Sequence, residues 1–399
     1  MIGFTRIFKV NIFGILIVAM ALIAFIATPG HSQTQVTIEN NTQLTAIGIG
    51  LPTTPIQIYI VGGSLSPASN GATLIIQEDL PNAVDISAGS SGALVGGLLL
   101  SPAGLNPTVS NNTILIEADS GTPAAKNIQG ADYSFGGLAG SLTLIGGAVY
   151  DNTNPGEASK NTVTVGPGSI SGELSGSIIG GLVQKEGKAT ENTLNLAETV
   201  TYVTGRQDSL NIVGGTVQYT NTTAAVTDLN MNVVNKNVVN LKGGFVLVDS
   251  TGGQEIIAGG LVLQGTAGGD NAGEGNKVDI TGGTIGGANT TIVGGKADLG
   301  TAQYNTVDFT SGTMSKGEIV GGAVGTITGS GTTEYGPVLK NNSVTISDDA
   351  VVGTSSPTDL LRIKGGFIFN VTGQAAIVEN NSVSITELDA SISNLYIAD

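Results

Sequence analysis

The chain of 399 residues has no cysteine and no tryptophan, and its single histidine is His31. Without cysteine no disulfide can form, and without another histidine the rest of the chain cannot build a Ser-His-Asp triad or a His/Cys zinc site. Aromatic residues make up only 4% of the chain, so aromatic rings cannot fill a core of ordinary size. The core must therefore come from Val, Ile and Leu, which favour β-strands.

Positive charge is also scarce, because 15 Lys and Arg residues stand against 31 Asp and Glu residues and the formal net charge is −16. Nucleic acids and anionic lipids are bound by clustered Lys and Arg, so neither is expected as a partner. The partners that remain are protein or glycan ligands at a cell surface, or further copies of this chain. A mean hydropathy of +0.25 argues against disorder.

The first 32 residues have the pattern of a secretory signal peptide. Arg6 and Lys9 precede an apolar stretch over residues 12–27, and Pro29 and small residues then precede a cleavage site before Gln33. The alternative is an uncleaved membrane anchor, but the stretch is shorter than the ~20 residues that span a bilayer comfortably. We therefore expect an exported protein, extracellular or on the outer cell surface, with no transmembrane segment in the mature chain.

Glycine is abundant, with 61 residues, and much of it falls in one recurring motif. The motif is an aliphatic pair followed by two glycines, with looser copies at Gly243-Gly244 and Gly259-Gly260. We interpret these pairs as turns with positive φ that also let neighbouring segments approach closely. The glycines of the motif are Gly62 and Gly63, Gly96 and Gly97, Gly146 and Gly147, Gly180 and Gly181, Gly214 and Gly215, Gly294 and Gly295, Gly321 and Gly322, and Gly365 and Gly366.

A second motif lies between the glycine pairs: Asn, usually Thr or Ser, and then two aliphatic residues at a period of two. That period predicts a half-buried strand. We interpret the Asn as tolerating left-handed backbone and as hydrogen-bonding to its own copies in a ladder. Glycosylation is the alternative, since several Asn-x-Ser/Thr sequons occur. The asparagines are Asn161, Asn192, Asn276, Asn305, Asn342 and Asn381, with a looser copy at Asn112.

Short strands repeated about ten times cannot each bury a face alone, but stacking along one axis buries all of them. The predicted fold is all-β: a right-handed parallel β-helix, or β-solenoid, in a single elongated domain. We expect leading or capping strands over residues 33–59 and solenoid repeats over residues 60–399. Segments of variable length, such as 150–160, 184–190 and 325–340, should emerge on one side and form the recognition face.

Strands of the type Asn192-Thr193-Leu194-Asn195-Leu196, alternating with Ile-x-Gly-Gly segments behind a signal peptide, resemble the passenger domains of autotransporters over about residues 60–399. These are β-helical, adhesin-like proteins of Gram-negative cell surfaces. The resemblance implies a right-handed β-helix, export across two membranes, and a role in adhesion or surface coating.

Candidate chemistry is sparse, and we expect neither an enzyme nor a cofactor or metal. β-Helical polysaccharide enzymes use carboxylates, and the nearest pairs here are Asp348-Asp349 and Glu78-Asp79, which we interpret as solvated turn residues. The acidic, glycine-rich segment 268–275 is a calcium candidate without the spacing of known calcium loops. Three hypotheses follow: an adhesin-like solenoid that binds through loops on one face, a fibre or coat subunit that stacks through its ends, and, least favoured, a polysaccharide-active enzyme.

Overall fold

The computed structural model describes residues 35–38, 60–61, 68–76, 84–85, 94–100, 106–116, 126–129, 131–135, 138–150, 154–166, 174–175, 177–196, 201–204, 210–218, 232–243, 246–249, 255–286, 290–325, 336–353, 360–369, 376–386 and 395–398. Every regular element among them is a β-strand. The proposed signal peptide, Gly62, Gly63 and Glu78-Asp79 lie outside these residues.

In chain order the strands are β1 (Gln35–Ile38), β2 (Ile60–Val61), β3 (Ala68–Asn70), β4 (Thr73–Ile76), β5 (Val84–Asp85), β6 (Leu94–Leu100), β7 (Thr108–Ser110), β8 (Thr113–Ile116), β9 (Lys126–Gln129), β10 (Ala131–Phe135), β11 (Leu138–Tyr150), β12 (Gly156–Ser159), β13 (Thr162–Val165), β14 (Leu174–Ser175), β15 (Ser177–Val183), β16 (Gly187–Thr190), β17 (Thr193–Leu196), β18 (Thr201–Thr204), β19 (Leu210–Val217), β20 (Val233–Asn235), β21 (Val238–Lys242), β22 (Val246–Asp249), β23 (Glu255–Gly268), β24 (Lys277–Gly286), β25 (Thr290–Gln303), β26 (Thr306–Met314), β27 (Gly317–Gly325), β28 (Val338–Lys340), β29 (Ser343–Val352), β30 (Leu361–Phe369), β31 (Ile377–Glu379), β32 (Ser382–Ile385) and β33 (Leu395–Ala398).

Apart from β10, the strands occupy four positions in a coil, and some long strands, such as β23 and β24, span two of them. The glycine strand carries the glycine pair, a short strand follows it, the asparagine strand comes next, and a fourth strand leads back to the next glycine strand. Glycine and short strands share an 18-stranded sheet, whereas asparagine and fourth strands share a 15-stranded sheet. The glycine column runs β2, β6, β11, β15, β19, β23, β25, β27, β30 and β33. The asparagine column runs β1, β4, β8, β13, β17, β21, β24, β26, β29 and β32.

Each coil pairs in parallel with the next, which confirms the predicted parallel β-helix. The exception among the described pairs is β10, which pairs with β11 as an antiparallel strand. One repeat is one coil, because equivalent asparagines of neighbouring coils are between 29 and 49 residues apart in sequence. At ~4.8 Å per coil, the nine steps along the glycine column give a rod about 43 Å long.

The interior consists of aliphatic columns, as the period-two pattern predicts. In β13 the outward Thr162 and Thr164 alternate with the fully buried Val163 and Val165, which stack on equivalent residues of the coils above and below. Burial of one such side chain contributes about 1.5–3 kcal/mol. Phe309, in the same column, is the largest fully buried side chain among the described residues. The core therefore needs almost no aromatic residues.

The connections within a coil differ sharply in length. From the short strand to the asparagine strand the chain almost always takes two residues, such as 111–112, 160–161 and 341–342; the one longer corner between described strands is 269–276. From the glycine strand to the short strand the connection varies. It takes three residues between β15 and β16, fifteen between β19 and β20, twelve between β27 and β28, and none within β23 or β25.

Candidate functional site

A ladder of eight buried or half-buried asparagines runs along the interior at the short-strand corner. The Nδ2 of each donates to the Oδ1 of the next at 2.8–3.0 Å, and each backbone N–H donates to the same Oδ1 at 3.0–3.2 Å. From Asn161 onward, each Nδ2 also donates a second hydrogen bond, to a backbone carbonyl of the preceding coil's short strand. The members are Asn112, Asn161, Asn192, Asn237, Asn276, Asn305, Asn342 and Asn381.

The ladder satisfies buried amide groups that would otherwise be costly, because an unpaired buried polar group costs about 1–3 kcal/mol. Asn237 was missed in the sequence because the residue after it, Val238, is aliphatic, whereas each of the other ladder asparagines is followed by a polar residue. The ladder stops at its N-terminal end at Ala72, whose N–H donates to Asn112 Oδ1 at 3.0 Å.

The glycine pairs are not turns, which corrects our interpretation. The described pairs lie within strands, and their φ angles are outside the left-handed region. Instead, they allow the glycine strand to lie close to the asparagine ladder and to the next coil. A Cβ on Gly147 would lie 2.5 Å from Asn161 Cγ, and one on Gly146 would lie 2.5 Å from the Gly180 carbonyl oxygen. The second glycine of the pairs thus leaves room for the ladder, and the first lets successive coils pack.

The same contacts recur at every described pair of the motif except the last. A Cβ on the second glycine would meet the ladder asparagine in each case. The pairs are Gly97 with Asn112, Gly147 with Asn161, Gly181 with Asn192, Gly215 with Asn237, Gly260 with Asn276, Gly295 with Asn305 and Gly322 with Asn342. The first glycine faces the next coil's first glycine at Gly96, Gly146, Gly180, Gly214, Gly259, Gly294 and Gly321. In the last coil a Cβ on Gly365 would meet Ser382, and one on Gly366 would meet Leu339 before Asn381.

Left-handed backbone occurs one residue before the ladder, which corrects a second interpretation. Lys160 and Glu191, which precede ladder asparagines, have φ of 55° and 58°. Asn111, Asn341 and Asn380 also have positive φ, and each is the first residue of an Asn-Asn-Ser/Thr sequon. These three sequon asparagines are therefore corner residues, and no ladder asparagine is itself the first residue of a sequon, so glycosylation and the ladder do not compete for one side chain.

The outward side chains of the asparagine strands form a surface that we call the polar face. Side chains of adjacent coils are in register on it, and Asn240 Nδ2 donates to Asn195 Oδ1 at 2.8 Å. Its residues are Thr162, Thr164, Thr193, Asn195, Val238, Asn240, Lys277, Asp279, Thr306, Asp308, Ser343 and Thr345.

A charged cluster occupies the middle of the polar face. Lys277 Nζ lies 3.2 Å from Asp279 Oδ2 and 2.9 Å from Asp308 Oδ2, which belongs to the next coil. Burial lowers the pKa of Lys277, but hydrogen bonds and charge attraction from Asp308 and Asp279 outweigh it and hold the pKa above its ordinary value. Partly exposed ion pairs of this kind contribute at most about 1 kcal/mol each.

This acid pair could have been found in the sequence, because Asp279 and Asp308 occupy the same place in two consecutive asparagine motifs. The pair that we selected is placed differently. Asp348 and Asp349 lie in strand β29 and not in a turn, although Asp349 is exposed as expected.

Protein contacts organise the loop proposed for calcium. Glu274 Oε2 accepts hydrogen bonds from the Asp270 N–H at 3.1 Å and from Asn271 Nδ2 at 3.4 Å, while Asp270 Oδ1 accepts one from Gln303 Nε2 at 3.1 Å. Among the residues that the structure describes, no group of three or more His, Cys, Asp or Glu side chains is placed to hold a metal ion.

The outer side of the glycine strands carries a second apolar cluster. In β15, Ile178 belongs to the interior cluster, whereas its neighbour Ile179 packs with Leu182 in a separate buried cluster. Two polar residues interrupt this surface at the end of β19: Thr216 Oγ1 and both amide atoms of Gln218 are buried without a hydrogen-bond partner.

The described glycine strands end, and the described short strands begin, along one edge of the rod, which we call the connector edge. The sequence between them there spans residues 101–107, 151–155, 184–186, 218–232, 326–337 and 370–376. The segments proposed from the sequence as loops overlap this edge, but each also contains a short strand: β12, β16 or β28. The signal for that strand was an inward Ala, Val or Leu three residues before the ladder, as at Ala158, Ala189 and Leu339.

Within the described ranges, no helix is long and apolar enough to cross a membrane. Comparison of the chain with protein-family models, with curated proteins and with solved structures finds no match. A proposal about function therefore rests on the sequence and on the geometry described above.

Proposed function

We propose that this protein is an exported, adhesin-like β-solenoid that binds cell-surface protein or glycan ligands through its connector edge and has no catalytic activity. The observation that carries this proposal is the contrast between the two corners of each coil. The short-strand corner is almost invariant, whereas the connector edge ranges from no residues to fifteen.

The contrast has a physical basis. The short-strand corner must place the ladder asparagine against a glycine of the neighbouring strand, and even the eight-residue corner 269–276 ends with Asn276 in the ladder. The connector edge has no such constraint. Where the glycine strand and the short strand are separate strands, three residues are enough to connect them, as Gln184-Lys185-Glu186 does. Segments longer than this minimum supply surface for recognition on a rigid scaffold.

Composition and resemblance support the same proposal. A signal-like N-terminus suits export, and an acidic surface with 12% charged residues suits neutral or basic ligands more than nucleic acid. The autotransporter-like alternation of strands and glycine pairs adds the expectation of display at a cell surface.

The test shortens one connector and keeps the two residues at its ends that bond to neighbouring coils, Gln218 and Asn232. Residues 219–231 are replaced by a single Lys, which leaves a connection of three residues like 184–186, and binding to immobilised mucin, collagen and cellulose is measured beside the unaltered chain. A Thr345→Lys variant on the polar face is the matched control. We expect binding to at least one surface, reduced tenfold or more by the shortened connector and unchanged by the control. Absence of binding, or equal binding by all three proteins, would contradict the proposal.

A further inference from the structure

Three asparagines at the short-strand corner each begin an Asn-x-Ser/Thr sequon. The motifs are Asn111-Asn112-Thr113, Asn341-Asn342-Ser343 and Asn380-Asn381-Ser382. N-glycosylating enzymes recognise this sequence, and the asparagine that they modify lies at the protein surface. Whether the fold presents a sequon to such an enzyme depends on which of its side chains face solvent.

The fold divides each motif into two outward residues and an inward middle residue. In the first motif, Asn111 is exposed and Thr113 points outward from β8, whereas Asn112 between them is 0% exposed and belongs to the ladder. The motif centred on Asn342 repeats this arrangement, and in the motif centred on Asn381 both outer residues are exposed. The two residues that a sequon specifies therefore face solvent, and the residue that it leaves free is the one that the ladder requires.

Left-handed backbone fixes the main chain of the corner without using the asparagine side chain. The φ angles are 55° at Asn111, 54° at Asn341 and 53° at Asn380, a conformation that asparagine adopts more readily than most residues. The Asn111 N–H donates to the Ser159 carbonyl of the next coil at 3.1 Å. Its Nδ2 makes an exposed contact of 3.3 Å with Ser110 Oγ. A substituent on this Nδ2 would therefore disturb no buried hydrogen bond of the ladder.

The corner also accommodates large side chains. Other coils place Lys160, Glu191, Lys236 and Tyr304 at this position, and all four have left-handed backbone. The side chains of Lys160 and Glu191 are 58% and 44% exposed, although the two form an ion pair of 3.7 Å. A bulky group at the corner thus projects into solvent and leaves the core unchanged.

We propose that Asn111, Asn341 and Asn380 are acceptors for N-linked glycosylation on the folded rod. The donor is a sugar linked to a diphosphate carrier, and the partner is a transferase that reads the sequon. The bond between the sugar C1 and the phosphate oxygen breaks, and C1 forms a bond with the asparagine Nδ2. The Nδ2 loses one proton, and the diphosphate departs with its carrier. These sites lie at the opposite end of the short strand from the connector edge, so the proposal does not depend on what that edge binds.

The experiment treats the purified, folded chain with UDP-glucose and a soluble transferase specific for Asn-x-Ser/Thr, and maps the products by peptide mass spectrometry. A synthetic peptide of residues 109–115 shows that the enzyme is active. We expect glucose on Asn111, Asn341 and Asn380 and an unchanged circular dichroism spectrum. Absence of glucose from these three asparagines, or loss of the β-sheet spectrum on modification, would overturn the proposal. The remaining sequons, which lie outside the described residues and are scored separately, begin at Asn40, Asn221, Asn289 and Asn370.

Two substitutions test the roles of the sequon and of the corner. Thr113→Ala should abolish modification of Asn111 and leave the other two sites unchanged, because it removes the hydroxyl residue that the sequon requires. Lys160→Asn completes a sequon with Asn161-Thr162 at an exposed corner, so it should add one modified site. Lys185→Asn creates no sequon and is the matched control. No added glucose on Lys160→Asn, or added glucose on Lys185→Asn, would contradict the proposal.

Discussion

Replacing Asn192 by Ala tests the energetic importance of the ladder. The Asn192 side chain donates to Asn237 Oδ1 and to the Ala158 carbonyl, both at 2.9 Å, and accepts from the Asn161 N–H at 3.0 Å and Asn161 Nδ2 at 2.9 Å. All four bonds are buried. At about 1 kcal/mol each, their loss predicts a decrease of about 4 kcal/mol in the free energy of unfolding, which is large for one substitution.

Alanine is smaller than asparagine, so it introduces no clash with Gly181, and the loss is one of hydrogen bonding and local packing. Asn195→Ala is the matched control three residues away on the polar face. Asn195 makes one bond of 2.8 Å with Asn240 and a longer one of 3.4 Å with Thr164, and it is only partly buried. We expect that control to cost about 1 kcal/mol or less.

Urea unfolding followed by circular dichroism measures both variants. Solenoids can unfold in parts, so the comparison uses the first transition that differs from the unaltered chain. If Asn192→Ala is no less stable than Asn195→Ala, the ladder contributes nothing beyond surface hydrogen bonds and our reasoning is wrong.

Four further predictions follow from the same geometry. Gly147→Ala should lower the free energy of unfolding by about 1–3 kcal/mol, because the added methyl group would clash with Asn161. Gly273→Ala should leave the stability unchanged, because the space around Gly273 is open, and thermal melts of both variants test this. Lys160→Asn should raise the free energy of unfolding in urea titrations by about 1 kcal/mol, because asparagine adopts a φ of 55° more readily than lysine does. Lys185→Asn is the control, and an equal effect of the two substitutions would contradict this prediction. Thr216→Val should raise the melting temperature by removing an unpaired buried hydroxyl from an apolar surface, and a lower melting temperature argues against it. Because the pKa of Lys277 is raised in the fold, protonated Lys277 stabilises the folded state fully at neutral pH, and this contribution is lost as the pH rises through that pKa. Lys277→Met should therefore lose less of its melting temperature between neutral and alkaline pH than the unaltered chain. Identical profiles of melting temperature against pH would refute this.

The aliphatic alternation predicted the stacked parallel strands because burial at a period of two admits few other folds. Val163 and Val165 are inward and Thr162 and Thr164 outward, as their spacing indicates. The role of the glycines was harder to predict. A glycine pair equally suits a turn or a close contact, and only the position of Gly147 against Asn161 distinguishes them.

The charged cluster on the polar face depends on the register between coils, which emerges only when the asparagine motifs of consecutive repeats are aligned. Lys277 and Asp308 are 2.9 Å apart in space but belong to different repeats, and the repeats differ in length. Asp348 and Asp349 attracted attention because they are adjacent in sequence, yet adjacent strand residues point to opposite faces. Proximity along the chain was thus the wrong criterion for a site in this fold.

The central claim is that one repeat forms one coil, and a distance between spin labels tests it most directly. Cysteines introduced at Thr164 and Thr345 would be the only ones in the chain, and five coil steps separate these positions along the polar face. Pulsed electron paramagnetic resonance should give a backbone separation of about 24 Å, from five steps of ~4.8 Å. A separation near twice that value, or a broad distribution without a maximum, would contradict the stacked-coil structure.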